Sequence, residues 1–298
     1  MLVKSLKIGV LGAIIIDLNK SRGLSYRFLG GGGLYSSVSL VGIGVETILF
    51  TSYGPDIDPK WIEKLQAMGV KISARKVERN IVFENLYKGS SRIQRTWGEL
   101  SDRISVDKSM FKGLHAVHVT PVLNEIDYNV FKELVEAGCK ISIDVQGFIR
   151  SVGKENYVIN VKRLLPDEFL RYVDYIHMSL EEQLFFLEND VRELFDLNPN
   201  VIVEITYSDH GSFVMDRKTC YRIPAFKTEA IDPTGAGDVY AAVFLAKHIE
   251  KESLLEAGLY ASASASIKAE KAGPLFILNP VEIERRVDLL KRDVENLY

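Results

Sequence analysis

The segment Asp232-Pro233-Thr234-Gly235-Ala236-Gly237-Asp238, followed by the apolar run Val239 to Leu245, has the composition of an anion cradle beside a base. The apolar run reads as the start of a helix. Four N–H groups at a helix N-terminus lack intrahelical acceptors, and the dipole adds partial positive charge there. Gly235, Ala236 and Gly237 are small enough for a phosphate to approach those donors closely. Asp238 beside them can take a proton from an attacking hydroxyl. Transfer of a phosphoryl group to an alcohol needs both parts. The competing reading is an ordinary helix start, with the carboxylate favoured by capping and the dipole. A dinucleotide-binding turn fits poorly, because Tyr240 stands where its third glycine belongs.

Three other places bear on that chemistry. The run Gly30-Gly31-Gly32-Gly33 precedes a helix whose Leu34, Val38 and Val41 fall on one face. Four glycines cost backbone entropy, so their presence implies close approach by a ligand or by the chain itself. Asp17 follows directly on the first apolar strand, at the edge where open α/β sheets bind ligands. Glu181 and Glu182 open a helix after the strand Tyr175 to Met178, where dipole compensation alone accounts for acidic residues. His115 and His118 lie an odd number apart in an apparent strand and make a poor metal pair.

The elements that would hold these residues alternate along the chain. Strand candidates are Lys7 to Ile16, Thr47 to Thr51, Ala116 to Thr120, Lys140 to Asp144, Tyr175 to Met178 and Val201 to Thr206. Amphipathic stretches lie between them, such as Pro59 to Met68 stopped by Gly69 and Tyr128 to Ala137 stopped by Gly138. This alternation predicts a parallel sheet covered by helices on both faces. After Asp238 the pattern is almost wholly helical: Asp238 to Lys247, Leu254 to Lys271 and Val281 to Asn296. Ile81 to Tyr87 and Arg92 to Trp97 read as a hairpin around Lys88-Gly89-Ser90-Ser91, either an edge pair or a flap over a site. A second hairpin, Ser212 to Met215 with Cys220 to Ile223, reads as scaffold.

The 298 residues, with 47% hydrophobic and 26% charged side chains, suit a globular protein with ample core. A net charge of −3 without a basic stripe argues against a nucleic-acid partner. The two cysteines, Cys139 and Cys220, suit a reducing compartment. Met1 to Ile16 imitates a signal peptide, yet it is short, ends at Asp17 and lacks a small-residue cleavage site; a buried strand reads the same way. No apolar segment reaches the ~18 residues of a membrane span. The expectation is a cytoplasmic protein with no membrane partner.

Taken in order along the chain, these motifs resemble the ribokinase (PfkB-type) carbohydrate kinases. Asp232 to Asp238 with Val239-Tyr240-Ala241-Ala242 resembles the family's second signature. Gly30-Gly31 resembles the Gly-Gly pair of the first, whose helix would end at Gly42-Ile43-Gly44. Gly12 to Asp17 is similar to the family's first strand and its substrate-binding aspartate. Thr206-Tyr207-Ser208-Asp209-His210-Gly211 is similar to its nucleotide-contacting turn. The resemblance implies one ribokinase-like domain over residues 1–298. That domain is a three-layer α/β/α sandwich with a mostly parallel central sheet and a small β-sheet lid. Lid strands would come from about 81–97 and from 18–29.

It also implies roles. Asp238 would be the base, with Gly235, Ala236 and Gly237 as the anion hole. Asp17, Gly31, Gly32 and Tyr35 would contact a sugar or polyol acceptor. Thr206, Ser208, Gly211, Ala272 and Gly273 would contact ATP, and Glu182 would order Mg2+ through water. Several relatives bind K+ near the position of Asp232. Lid strands pair between subunits in some members, so the assembly implied is a monomer or a homodimer through the lid.

Departures from the pattern leave the acceptor open. Tyr35 stands where the first signature has Asn, Ser179 where Asn-x-x-Glu has Asn, and Ser208 where the nucleotide turn has its first Gly. The stretch Asp144 to Arg150 could supply Gln146 or Arg150 to a larger or anionic acceptor, or be a simple turn. The main expectation is an ATP-dependent sugar or polyol kinase. A nucleoside or inositol (cyclitol) kinase is the alternative, and a non-catalytic sugar or nucleotide sensor the reading outside that class.

Overall fold

The computed structural model describes residues 5–21, 24–88, 91–97 and 103–297. After β1 (Lys7–Leu11) the chain leaves the main sheet for β2 (Ile15–Ser21) and β3 (Leu24–Gly30), an antiparallel pair in a second sheet. Helix α1 (Gly32–Gly42), β4 (Glu46–Tyr53), α2 (Pro59–Ala67) and β5 (Lys71–Lys76) follow. Strands β6 (Val82–Lys88) and β7 (Ser91–Trp97) complete the second sheet in the order β3-β2-β6-β7. Next come β8 (Ala116–Val119), α3 (Asn129–Ala137) and β9 (Lys140–Asp144). A short pair, β10 (Arg150–Val152) and β11 (Val158–Asn160), precedes α4 (Asp167–Leu170), β12 (Tyr175–Ser179), α5 (Leu180–Phe186) and α6 (Arg192–Leu197). Strand β13 (Ile202–Thr206) leads into the hairpin β14 (Ser212–Met215) and β15 (Cys220–Ile223). Helices α7 (Ala236–Ile249), α8 (Leu254–Ala269) and α9 (Pro280–Leu290) are followed by β16 (Glu295–Asn296).

The main sheet runs β16-β15-β14-β13-β12-β9-β8-β1-β4-β5, parallel from β13 to β5 and antiparallel beyond β13. Apolar residues on both faces of β1, with helices on each side, give two buried cores. Leu34, Val38, Val243, Leu259 and Val287 build one from α1, α7, α8 and α9. Phe131, Phe169, Phe186 and Phe195 build the other from α3 to α6. This is the expected α/β/α arrangement. Among the described residues, no helix is long and apolar enough to cross a membrane.

Strand periodicity decides what faces α7. Val117 and Val119, Ile141 and Ile143, Ile176 and Met178, and Val203 and Ile205 all point into the core of α3 to α6. Their alternates, His118, Ser142, Asp144, His177, Glu204 and Thr206, therefore share the opposite face. The registers His118↔Ser142, His177↔Asp144 and His177↔Glu204 align them into a polar row across four strands.

Two expected elements are corrected. The strand expected over Lys7 to Ile16 is broken, and Asp17 lies in β2 of the second sheet rather than on the main-sheet edge. The break falls at Gly12, where a Cβ would sit 2.5 Å from the Thr120 carbonyl oxygen. The helix expected over Val281 to Asn296 ends at Leu290, because Glu295 and Asn296 instead pair with β15. Of the hairpin expected over 81–97, Gly89 and Ser90 lie outside the described residues. Ile81 and Phe83 are buried, whereas Trp97 is exposed.

Gly12→Ala should push the crossing from β1 to the second sheet off the Thr120 carbonyl. A loss of about 1–3 kcal/mol in urea unfolding is expected; an unchanged midpoint would show that the crossing tolerates a side chain.

Candidate active site

Helix α7 starts at Gly235, whose φ of 82° is left-handed and whose Cβ would fall 2.3 Å from the Tyr35 ring. Glycine is required there on both counts. Asp238, in the first turn, is half-buried. Its Oδ1 accepts from Gln146 Nε2 at 3.0 Å and faces Thr120 Oγ1 at 3.5 Å. Ser36 of α1 donates to the Asp238 carbonyl at 3.2 Å and ties the two helix starts together.

The glycine run resolves into distinct contacts. A Cβ on Gly32 would lie 2.0 Å from Thr120 Oγ1 and 2.4 Å from Asp238 Oδ1. One on Gly30 would lie 1.9 Å from Asp17 Oδ2, and Gly31, at φ 104°, would meet the Ala13 carbonyl. Both acids thus pack over one short stretch of backbone. Asp17, buried, accepts from Asn85 Nδ2 at 3.1 Å; the same amide donates to Asn19, and Gln94 donates to Asn85. The second sheet thereby presents a face of amides and one carboxylate. Tyr35 is buried, its ring beneath Gly235.

Below α7 lies the charged part of the polar row. His177 Nδ1 is 2.9 Å from Asp144 Oδ2, and its Nε2 is 3.4 Å from Thr206 Oγ1. Its ring stacks on Tyr240 and lies 3.4 Å from where a Gly237 Cβ would be. Asp144 also accepts from the Gln146 N–H at 2.9 Å, so one carboxylate sets both the histidine and the loop that holds Asp238. Burial opposes charge on His177, but the adjacent Asp144 wins and raises it to about 9, while Asp144 is held low. Burial pushes Glu204 up to about 8 and His118 down to about 4. Asp238 is raised to about 7, first by desolvation and then by Asp144, against the opposing charges of His177 and Arg150.

The residues expected to contact ATP lie at and after the end of β13 and after α8. Thr206 ends β13, and Ser208 occupies a left-handed turn at φ 50°. Gly211, at φ 97°, could not carry a side chain without meeting the Ile223 carbonyl. Gly273 N donates to Asp232 Oδ2 at 2.9 Å, and Ala272 beside it is exposed. Glu182 is committed to a capping box: its Oε2 accepts from Ser179 N at 2.8 Å, and Ser179 Oγ accepts from Glu182 N. Ser179 is therefore the cap of α5. Arg150 Nη2 lies 3.9 Å from the other oxygen of Glu182.

Thr120, Asn85, Asp144 and His177 join the site without having been singled out from the sequence. For all but Asn85 a signal was present: Val117-His118-Val119-Thr120, Ile141-Ser142-Ile143-Asp144, Ile176-His177-Met178-Ser179 and Val203-Glu204-Ile205-Thr206 each alternate apolar with polar. A strand apolar on one face and polar on the other, yet buried, marks a lined site.

His177 and Glu204 carry raised values, so their contribution to stability is complete below their ordinary values of 6.5 and 4.5 and is lost as pH rises from there to about 9 and 8. Thermal unfolding should show a falling midpoint across that window, and Glu204→Gln should flatten it; a flat wild-type profile would contradict the buried charges. Gly32→Ala should displace Asp238 or Thr120 and leave a folded protein with a disturbed site, read by near-UV circular dichroism.

Residues 144–280 match the family described as pfkB family carbohydrate kinase. A nucleoside kinase of Methanothermobacter thermautotrophicus is 35% identical over 97 residues, 33% of this chain and 31% of that protein. An inositol 3-kinase of Arabidopsis thaliana is 25% identical over 171 residues, 54% of this chain and 47% of that protein. The chain thus spans less than half the length of either relative. Among solved structures, a pyrophosphate-dependent kinase in the ribokinase family, complexed with a pyrophosphate analog and myo-inositol, superposes with a TM-score of 0.80. It is 23% identical, with 93% of this chain and 99% of that one covered. Ribokinase from Thermotoga maritima gives 0.74 at 18% identity, covering 95% and 99%.

Proposed function

We propose that this chain, which belongs to the PfkB/ribokinase family of carbohydrate kinases, transfers the terminal phosphoryl group of ATP to a hydroxyl of a sugar or sugar-like polyol. The observation that carries this reading is the pairing of Asp238 with the left-handed Gly235 start of α7. The Ala236 N–H is spent on the Pro233 carbonyl at 3.1 Å, so the N–H groups of Gly235 and Gly237 would hold the moving phosphoryl group, and Asp238 would take the acceptor's proton. A carboxyl raised to about 7 suits a base near neutral pH, since it is substantially ionised yet basic enough to accept a proton.

On this reading Asp17, Asn85 and the backbone at Gly31 and Gly32 hold the acceptor's other hydroxyls. Positioning supplies most of the acceleration, because phosphoryl transfer asks little covalent help of the protein. The donor would lie along Thr206, Ser208, Gly211, Ala272 and Gly273. Among the described residues no group of three His, Cys, Asp or Glu side chains is assembled for a metal. A Mg2+ ion carried on the donor phosphates would neutralise developing charge, with the Glu182 oxygen outside the capping bond facing it through water. A second reading, pyrophosphate as donor and a cyclitol as acceptor, draws on the structural relative crystallised with myo-inositol and on the amide-rich face of β2, β6 and β7.

The deciding assay crosses ATP and pyrophosphate with a panel of sugars, inositols and nucleosides. With the productive pair, turnover should rise with pH through about 7 as Asp238 ionises. Asp238→Asn should lower it by about 10²–10⁴-fold. The same variant should raise the melting temperature at pH 8. A raised carboxyl gives stability that is complete below its ordinary value and lost as pH climbs through its folded one. Near-normal turnover in Asp238→Asn would remove the base assignment.

A further inference from the structure

The loop that becomes the anion hole is braced from behind by a buried ammonium. Lys268, in α8, is fully buried. Its Nζ donates to the carbonyl oxygens of Asp232 and Lys271, each at 2.9 Å. Asp232 Oδ2 lies 3.8 Å away, and the Tyr35 ring centroid 5.4 Å away, with Gly235 on that ring. Asp232 spends its carboxylate on the N–H groups of Thr234 and Gly273, and the N–H groups of Ile231 and Asp232 both reach the Ala269 carbonyl. The ammonium therefore joins residues 231–235 to residues 271–273, the two loops that frame the start of α7.

Carbonyl oxygens converging on one positive centre, with a carboxylate and a ring face behind, form the environment a monovalent cation would take. The family resemblance placed such an ion near Asp232. The residues here do not fit it, because a protein-borne cation already fills the space between the carbonyls, and a second positive charge would be repelled at that distance.

We propose that Lys268 is a tethered cation that does the work of a monovalent ion: it fixes the anion-hole loop, makes the site indifferent to K+, and on removal leaves a site for a small cation. A flexible four-carbon stem can place a compact ammonium against carbonyls, and three donors suit two carbonyls with one N–H left toward Asp232. Burial holds Lys268 below the ordinary lysine value, with Asp232 and then Asp238 pulling the other way, so the charge stands on the carbonyl and carboxylate geometry around it. The brace is a property of the loop; only its effect on turnover rests on the kinase reading.

The test compares wild type with Lys268→Ala in potassium, ethylammonium and choline chlorides at equal ionic strength. Wild-type melting temperature and turnover should be the same in all three salts. Lys268→Ala should melt lower in choline and regain stability in ethylammonium or potassium, as expected for a ligand bound only by the folded state. Its turnover should fall by about 10²-fold, the scale of a displaced oxyanion-hole donor, and recover with the same cations. Because melting needs no substrate, that arm decides the brace even if no donor and acceptor pair is found. Wild type activated or stabilised by K+ over choline overturns the proposal, as does a folded Lys268→Ala indifferent to all three salts. Should the alanine variant not fold in any salt, Lys268→Gln, which keeps length without charge, replaces it; a fully active Gln variant overturns the tethered-cation role, and a roughly hundredfold loss supports it.

Discussion

The close seating of the first turn of α7 on the sheet is the constraint on which the site depends. Gly235 turns left-handed against the face of Tyr35, and Gly237 clears the edge of His177, so the helix begins almost in contact with the layers beneath it. A side chain at 235 would lift the turn off Tyr35 and displace Asp238 with it. Ser36, bonded to the Asp238 carbonyl, holds the same turn from the side of α1. The turn is thus fixed by the protein's own packing.

Such seating brings an electrostatic cost, and the polar row beneath α7 manages it. A half-buried carboxylate at Asp238 is disfavoured by desolvation and by Asp144. Asp144 is itself matched by His177 at 2.9 Å, and Asp144 and Gln146 form a chain of contacts that ends on Asp238 Oδ1. The pair therefore contributes geometry as much as charge. Replacing one partner would leave the other buried and uncompensated, the usual reason that breaking a buried pair costs more than the pair contributes.

Much of this was legible in the linear pattern. Apolar runs separated by helices capped at Gly69 and Gly138 predict the parallel sheet, and both glycines have the positive φ such stops require. Asp238 following Gly235-Ala236-Gly237 marks the helix start. The glycine run signals close approach, although the approaching groups prove to be the protein's own Asp17, Thr120, Asp238 and Ala13. Glu182 reads as an acidic first-turn residue and is found in a capping box with Ser179, so that local explanation accounts for its conformation. Other elements were hidden. The kink at Gly12 moves Asp17 to a different sheet, and nothing local distinguishes one ten-residue strand from two strands joined by a close crossing.

The sequence by itself determined the fold class, the helix start at Gly235, and the identity of the acid beside it, because these follow from periodicity, chain stops and side-chain size within a few residues. Only the tertiary structure decided which groups surround that acid. Thr120 and Gln146 reach α7 from beyond the ends of β8 and β9, His177 from within β12, and Lys268 reaches Asp232 from another helix. Those meetings depend on strand order and register, which place residues more than thirty positions apart at hydrogen-bond distance and leave no trace in local spacing.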